Sequence, residues 1–371
     1  MKKISLILAL FSIHCAAIWS QDGGSYRQAP SIPEAEASFK TKAVYDDALI
    51  LLEDAVTANP QDENAWLNYY KAARYRNFTS HSESITKDSQ KKLDDILGKM
   101  NNAVPNSFAW NYCSFMNSNR SDNAVSYLKK AYEIRPYEKD LWDDMLAESV
   151  IANDEKSTID FTKKLEENAI YSDAAMEYSR NVLSSIEKDG ILITNGSLDT
   201  YPILIFQKQH NYRTDVTIVC LDWIGSVRYT DQLKGLFGLK KDKVVMGQPY
   251  TSLSAILQSS KKSAIYLALT IPPDILSQYL NELYCTGLAM KYSKKSLQNL
   301  GSLQYNWENL FQINSISASD DINRNYLVPL MLLKDYYFNN GNQQKSQEIQ
   351  NRIDEIVIRF GLQSVIATSK K

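Results

Sequence analysis

Residues 190–223, GILITNGSLDTYPILIFQKQHNYRTDVTIVCLDW, constrain the fold most, because they read as a complete strand, loop, helix and strand. The strands are continuous apolar runs, Ile191-Leu192-Ile193 and Val216-Thr217-Ile218-Val219-Cys220-Leu221, of the kind buried on both faces of a parallel sheet. Asn195, Gly196, Ser197 and Asp199 crowd the carboxyl end of the first strand, where open α/β sheets place ligand sites and where the next helix begins. Thr200 and Tyr201 follow in that helix, and Asp222 with Trp223 closes the second strand at the same edge. Asn195, Gly196, Ser197, Asp199, Thr200, Tyr201 and Asp222 are therefore the candidate ligand-binding residues. Each also has an ordinary structural use. Asp199 is placed to cap the helix by accepting from its free N–H groups. Asn195 and Gly196 suit a tight turn that lets backbone come close to a neighbour, and Asp222 suits a strand-end turn.

Beyond Trp223 the chain alternates. The pattern predicts a helix over 227–236, a weak strand over 243–246, a helix over 253–259 and a strong strand over 264–270. Pro272, Pro273 and Asp274 then open a helix over 275–281, since proline is tolerated in a first helical turn, and 288–292 returns as a last strand. This alternation describes a small, mostly parallel α/β sheet domain. Two closing helices, 323–338 and 343–360, are split by Asn339-Asn340-Gly341-Asn342, with Gly341 available for a left-handed turn.

The N-terminal half repeats itself. An offset of 76 residues superposes Ala48 on Ala124, Leu52 on Leu128, Ala55 on Ala131, Pro60 on Pro136 and Trp66 on Trp142. Ala, Leu and Ala at these spacings make one helix face with room for a close neighbour, and each proline stops its helix. Leu93, Ile96, Leu97 and Met100 before Pro105 and Trp110 give a looser middle copy, after a polar loop over 77–88. The pattern resembles the tetratricopeptide repeat, carried by Ala48, Ala55 and Pro60, over about residues 36–185. The resemblance implies a helical solenoid with a groove for a protein partner. The domains read as 1–20 signal peptide, 21–35 linker, 36–185 tetratricopeptide-like helical repeats, 186–300 α/β module and 301–371 C-terminal helical hairpin.

Lys2 and Lys3, an apolar run over 4–13 and the small residues Ala16, Ala17 and Ser20 have the layout of a secretory signal peptide. This implies a periplasmic or secreted protein, with lipid attachment at Cys15 as the minor alternative and no membrane helix after cleavage. Without Lys2 and Lys3 the balance is 39 basic to 43 acidic residues, which argues against a nucleic-acid partner. Cys113, Cys220 and Cys285 are widely spaced among apolar neighbours, so they read as buried thiols.

A second resemblance covers roughly residues 172–360. Ile193-Thr194-Asn195-Gly196, Asp199-Thr200-Tyr201-Pro202 and Arg213-Thr214-Asp215-Val216 carry it, with Tyr266-Leu267-Ala268-Leu269-Thr270, Gly287-Leu288-Ala289 and Tyr305-Asn306-Trp307-Glu308-Asn309-Leu310. These runs resemble the soluble C-terminal region of bacterial multi-spanning membrane proteins related to protein O-mannosyltransferases. The resemblance implies catalytic machinery in the family's membrane portion and assigns no activity to the soluble region. The family tends to have an acidic residue after the asparagine-glycine pair, where this chain has Ser197, so any metal or sugar site that depends on two carboxylates in the loop would be weakened.

Catalytic parts are scarce. His81 and His210 lie near no nucleophile motif, and no HExxH, GxSxG, paired CxxC or glycine-rich phosphate loop occurs. No cofactor is implied. The Asn-x-Ser/Thr sites at Asn77, Asn119 and Asn195 read as chance in a bacterial context. The tyrosines at 69, 70, 75, 112, 127, 132 and 137 read mainly as helix packing. The sequence thus points to an exported, non-enzymatic adaptor that binds a protein partner through a helical-repeat groove, in cell-envelope assembly or glycan handling. The alternative is binding of a sugar or nucleotide-sugar by the α/β module.

Overall fold

A computed structural model describes residues 42–78, 85–118, 121–240, 248–259, 263–316, 318 and 320–363. The expected signal peptide with Cys15, the linker, the first repeat residues 36–41, His81, Asn119 and the strand over 243–246 lie outside the described residues. Two compact units form: one runs to Asn153 and includes Gly225–Arg228, and the other comprises Asp154–Ile224 and the chain from Tyr229.

The first unit is helical, with α1 (Lys42–Ala58), α2 (Glu63–Tyr75), α3 (Lys87–Ala103), α4 (Phe108–Asn117), α5 (Val125–Ile134) and α6 (Trp142–Ile151). Helices adjacent in sequence pack on one another, and α2 also meets α4, as in a solenoid. The two copies share one lock. The Trp66 indole N–H donates to the Pro60 carbonyl at 2.9 Å, and the Trp142 indole donates to the Pro136 carbonyl at 3.2 Å. A buried indole needs such a partner, and a helix-ending proline leaves a carbonyl free to supply it. In the middle copy Leu93, Ile96 and Met100 are buried, and Trp110 instead meets the Tyr127 ring edge-on at 5.4 Å.

Polar ties join the copies. Glu63 accepts from the Phe108 N–H at 3.0 Å and pairs with Arg135, whose guanidinium lies 4.6 Å over the Phe108 ring. Lys71 is buried against Asp140, and the Tyr112 hydroxyl donates to the Asp140 carbonyl at 2.8 Å. Asp122 accepts from the Ser226 hydroxyl, the Val227 N–H and the Arg228 Nε, and Arg228 donates its other two nitrogens to Glu148. Tyr69, Tyr70, Tyr75 and Tyr112 are core residues, as expected, whereas Tyr137 is 88% exposed.

The second unit begins with α7 (Glu155–Glu167) and α8 (Asp173–Ser184), which the repeat pattern includes in the solenoid. In the structure they lie with the sheet because α9 (Ser197–Gln209) packs on both. The Gln209 amide donates to the Thr162 hydroxyl at 2.8 Å and the Ile159 carbonyl at 2.9 Å, and Lys208 pairs with Glu155. After β1 (Ile191–Thr194), α9 and β2 (Thr217–Cys220) come α10 (Val227–Phe237), α11 (Pro249–Leu257), β3 (Ile265–Ala268) and α12 (Pro273–Ser277). The chain then returns as β4 (Leu283–Cys285) and β5 (Ala289–Tyr292).

The five strands order as β2-β1-β3-β5-β4. Pairings β1–β2 and β1–β3 are parallel, β3–β5 and β4–β5 antiparallel, so the sheet is mixed where the sequence predicts a mostly parallel one. The reason is a tight return through Thr286-Gly287-Leu288. Its seat is Ser185, whose hydroxyl accepts the Leu288 N–H at 2.9 Å and lies 2.2 Å from where a Gly287 Cβ would be. Only glycine fits that approach. β1 and β3 are buried at every position, as their unbroken apolar runs require.

The closing helices are α13 (Leu300–Asn309), α14 (Leu327–Asn339) and α15 (Gln343–Arg359). α14 and α15 form the expected hairpin, with Gly341 at φ 76° and the Asn342 side chain accepting the Lys345 N–H at 3.1 Å. Among the described residues no helix is long and apolar enough to cross a membrane.

Candidate functional site

β1 leads to β2 on one side, and the chain then crosses back to β3 on the other, so the carboxyl ends of β1 and β3 bound a topological switch point. The polar loop lies there. Asp199, third residue of α9, turns its carboxylate back to the strand end: Oδ2 accepts from the Asn195 N–H and Oδ1 from the Gly196 N–H, both at 2.9 Å. The Thr270 hydroxyl, just beyond β3, donates to the same carboxylate. Asp199 is thus a cap, as its position suggests, yet it serves the loop before the helix, the reciprocal half of a capping box. Burial pushes its carboxyl above the usual range, opposed by the three donors.

The candidate residues separate by exposure. Asp199, Thr200 and Tyr201 are buried. Thr200 donates to the Thr194 hydroxyl at 2.7 Å, and Tyr201 stacks on Trp223 with centroids 6.2 Å apart. Trp223 in turn meets Tyr229, whose hydroxyl accepts the Cys220 N–H at 2.9 Å, so these aromatics close the core below the edge. Asn195, Gly196 and Ser197 are half-buried, and Asp222 is exposed. Gly196 is extended, with φ −161°, so no left-handed turn calls for a glycine. Close approach does: a Cβ there would stand 3.1 Å from Asp222 Oδ2. The accessible part of the site is therefore Asn195, Gly196, Ser197 and Asp222.

Sequence reading missed three participants. Thr270 bridges from just beyond β3, 71 positions away. Tyr250, at the start of α11, has a phenol raised by burial and by the charges of Asp274 and Asp222. Tyr178 of α8 is buried and senses Asp199. A proline-flanked Thr270-Ile271-Pro272-Pro273 after a strand was the available signal for the first; nothing local marks the others.

At the opposite, amino edge the Arg213-Thr214-Asp215 run is a brace. Arg213 grips Asp215 with Nε and Nη2 at 2.9 and 2.8 Å and donates to the Leu183 and Glu187 carbonyls at the end of α8. Asp215 also accepts the Asp189 N–H at 3.1 Å. The Arg213 guanidinium holds the Asp215 carboxyl far below the usual range.

With this geometry in place, one comparison bears on it. Residues 175–238 match the model of TMEM260-associated domain 2. The matched region runs from α8 through β1, α9 and β2 to the residue after α10, so it holds both the Asp199 loop and the Arg213 brace. It does not reach the helices before residue 154. Comparison with curated proteins returns no match.

Among the described residues no group of three or more His, Cys, Asp and Glu is arranged to hold a metal ion. His210 lies 2.5 Å from Glu166 on α7, away from the loop. Cys113, Cys220 and Cys285 are buried, and burial pushes the Cys285 thiol up to about 12. An open depression of about 700 Å³ lies at Ser172, Asp173, Ala174, Asn314, Ser315, Ala318 and Asp320, away from the loop residues.

Proposed function

We propose that the chain is a non-enzymatic adaptor whose helical unit binds a protein partner, in cell-envelope assembly or glycan handling. In this reading residues 1–20 export it to the periplasm or the medium, and the repeats act as a tetratricopeptide-like array. The observation that carries the proposal is the duplicated lock of Trp66 on Pro60 and Trp142 on Pro136. The lock supports reading the unit as an array of like helical pairs, and such arrays present extended surfaces to partners. Ile134 and Tyr137, both exposed, offer an apolar and an aromatic side chain at one turn, of the kind favoured at interface centres. Glycan handling draws on the matched region, since TMEM260 is an O-mannosyltransferase-like protein. A photo-crosslinking residue at Tyr137 in the source cells tests this. A discrete adduct at 137, competed by unlabelled protein and missing when the probe stands at exposed Gln347, is the expected result; identical behaviour at the two positions sinks the proposal.

A second reading is favoured by the switch point: a small polar ligand, a sugar or nucleotide-sugar, held at Asn195, Ser197 and Asp222. A thermal shift by such a ligand that survives Asp199→Asn and vanishes in Asp222→Asn supports it. No shift across a sugar and nucleotide-sugar panel removes it.

A further inference from the structure

The chain has two Asn-Gly pairs, Asn195-Gly196 and Asn340-Gly341, and the fold treats them in opposite ways. Asn-Gly is the pair most open to deamidation, because glycine offers no side chain to hinder its own nitrogen. In that reaction the glycine nitrogen gives up its proton to solvent base and attacks the asparagine Cγ. The Cγ–Nδ2 bond breaks, ammonia leaves, and water opens the resulting five-membered succinimide to aspartate or isoaspartate.

We propose that Asn340 is the deamidation site of the folded chain and that Asp199 shields Asn195 from the same reaction. Asn340 and Gly341 are exposed in the turn between α14 and α15. The Gly341 N–H donates only to the Phe338 carbonyl, at 3.1 Å, a neutral bond that water can replace. The Gly196 N–H instead donates to the Asp199 carboxylate at 2.9 Å, which also holds the Asn195 N–H and the Thr270 hydroxyl. The attacking nitrogen must leave this charge-assisted bond, and the loop is fixed on one side by β1 and on the other by α9. A carboxylate beside the N–H is also a base, which would speed proton removal. In this proposal holding wins, because the Gly196 N–H must give up its bond to Asp199 before the nitrogen can attack.

Deamidation at Asn340 would put a carboxylate at the C-terminal end of α14, where the helix dipole disfavours negative charge. The turn is therefore where ageing would loosen the hairpin.

The test is peptide mapping by mass spectrometry of the intact protein held in mildly alkaline buffer, native and in guanidinium chloride. In the native protein Asn340 converts about tenfold or more faster than Asn195, the ratio set by roughly 1.4 kcal/mol of extra barrier. In denaturant the two rates converge, and Asp199→Ala raises the Asn195 rate in the native chain. Equal native rates overturn the proposal, as does a preference that persists in denaturant, which would make it a property of local sequence. A fall in the Asn195 rate on Asp199→Ala would show the carboxylate acting as base, and would overturn it too. The native-against-denatured comparison uses the wild-type chain, so it holds even where the variant does not fold.

Discussion

The two ends of the parallel strands each depend on one aspartate, and they use it in opposite ways. At the amino edge Asp215 is paired with Arg213, accepts one backbone N–H, and titrates below the usual range because of that guanidinium. At the carboxyl edge the hydrogen-bond donors to Asp199 are backbone N–H groups and the Thr270 and Thr200 hydroxyls, with no cation among them, and burial drives its carboxyl upward. The amino edge is thus neutralised and closed by covalently distant ends of α8 and β2. At the carboxyl edge Asp222 stands exposed beside Gly196. One end of the sheet is braced and the other open, and the contrast can be tested residue by residue.

The largest effect should come from Asp199→Ala. It strands the Asn195 and Gly196 N–H groups and the Thr270 hydroxyl, all half-buried, and such orphaned donors cost on the order of 3 kcal/mol in sum. Urea unfolding of the purified chain checks this, and a loss under about 1 kcal/mol would mean that the loop re-pairs with water. Next comes Gly190→Ala at the amino edge. A Cβ there would stand 2.6 Å from Ile186 Cγ2 and 2.9 Å from the Glu187 carbonyl, and backbone cannot step aside as a side-chain end can. We expect a loss of about 1–3 kcal/mol.

The two aspartates also predict opposite pH slopes. Asp215 has a depressed folded value, so its stabilisation is present above the ordinary carboxylate range and is lost as pH falls below about 4. The stability difference between wild type and Asp215→Asn, about 1–3 kcal/mol near neutrality for a charge-assisted pair, should therefore shrink in acid. Asp199 has a raised folded value, so wild-type stability falls as pH rises through the window above 3.8. The advantage of wild type over Asp199→Asn should be greatest in acid. Denaturation series from about pH 2 to 7 on wild type and the two variants would show parallel slopes if the edges were alike.

Much of the frame was legible. Unbroken apolar runs gave β1, β2 and β3, and the Pro60/Pro136 and Trp66/Trp142 coincidences led to a lock that the structure shows twice. The three-residue β4 was not legible, because no period can be read from Leu283-Tyr284-Cys285, and with it went the antiparallel half of the sheet. At the candidate site the helix start marked Asp199 as a cap, but its direction depended on Thr270, whose position is set only once β1 and β3 pair. The burial of Tyr201 under Trp223 had the same origin. Side chains that point along a strand end can be named from sequence; which of them face water is decided by what packs across.

The smallest effect, and the most discriminating, belongs to Gly196→Ala. Its backbone is extended, a conformation open to alanine, and the unfolded chain would lose freedom, which favours the variant by a few tenths of a kcal/mol. Against this, the new Cβ meets Asp222 Oδ2 at 3.1 Å, the movable end of an exposed side chain. The net change should lie within about 0.5 kcal/mol, far below that of Gly190→Ala, although both add one methyl group beside a strand of the same sheet. Adding Asp222→Ala should remove what cost remains, and a double-mutant cycle measures it directly. A loss above about 1 kcal/mol, unrelieved by Asp222→Ala, would show that the carboxyl edge is packed as tightly as the amino edge. The contrast between a closed and an open end would then fail, and the small-ligand reading with it.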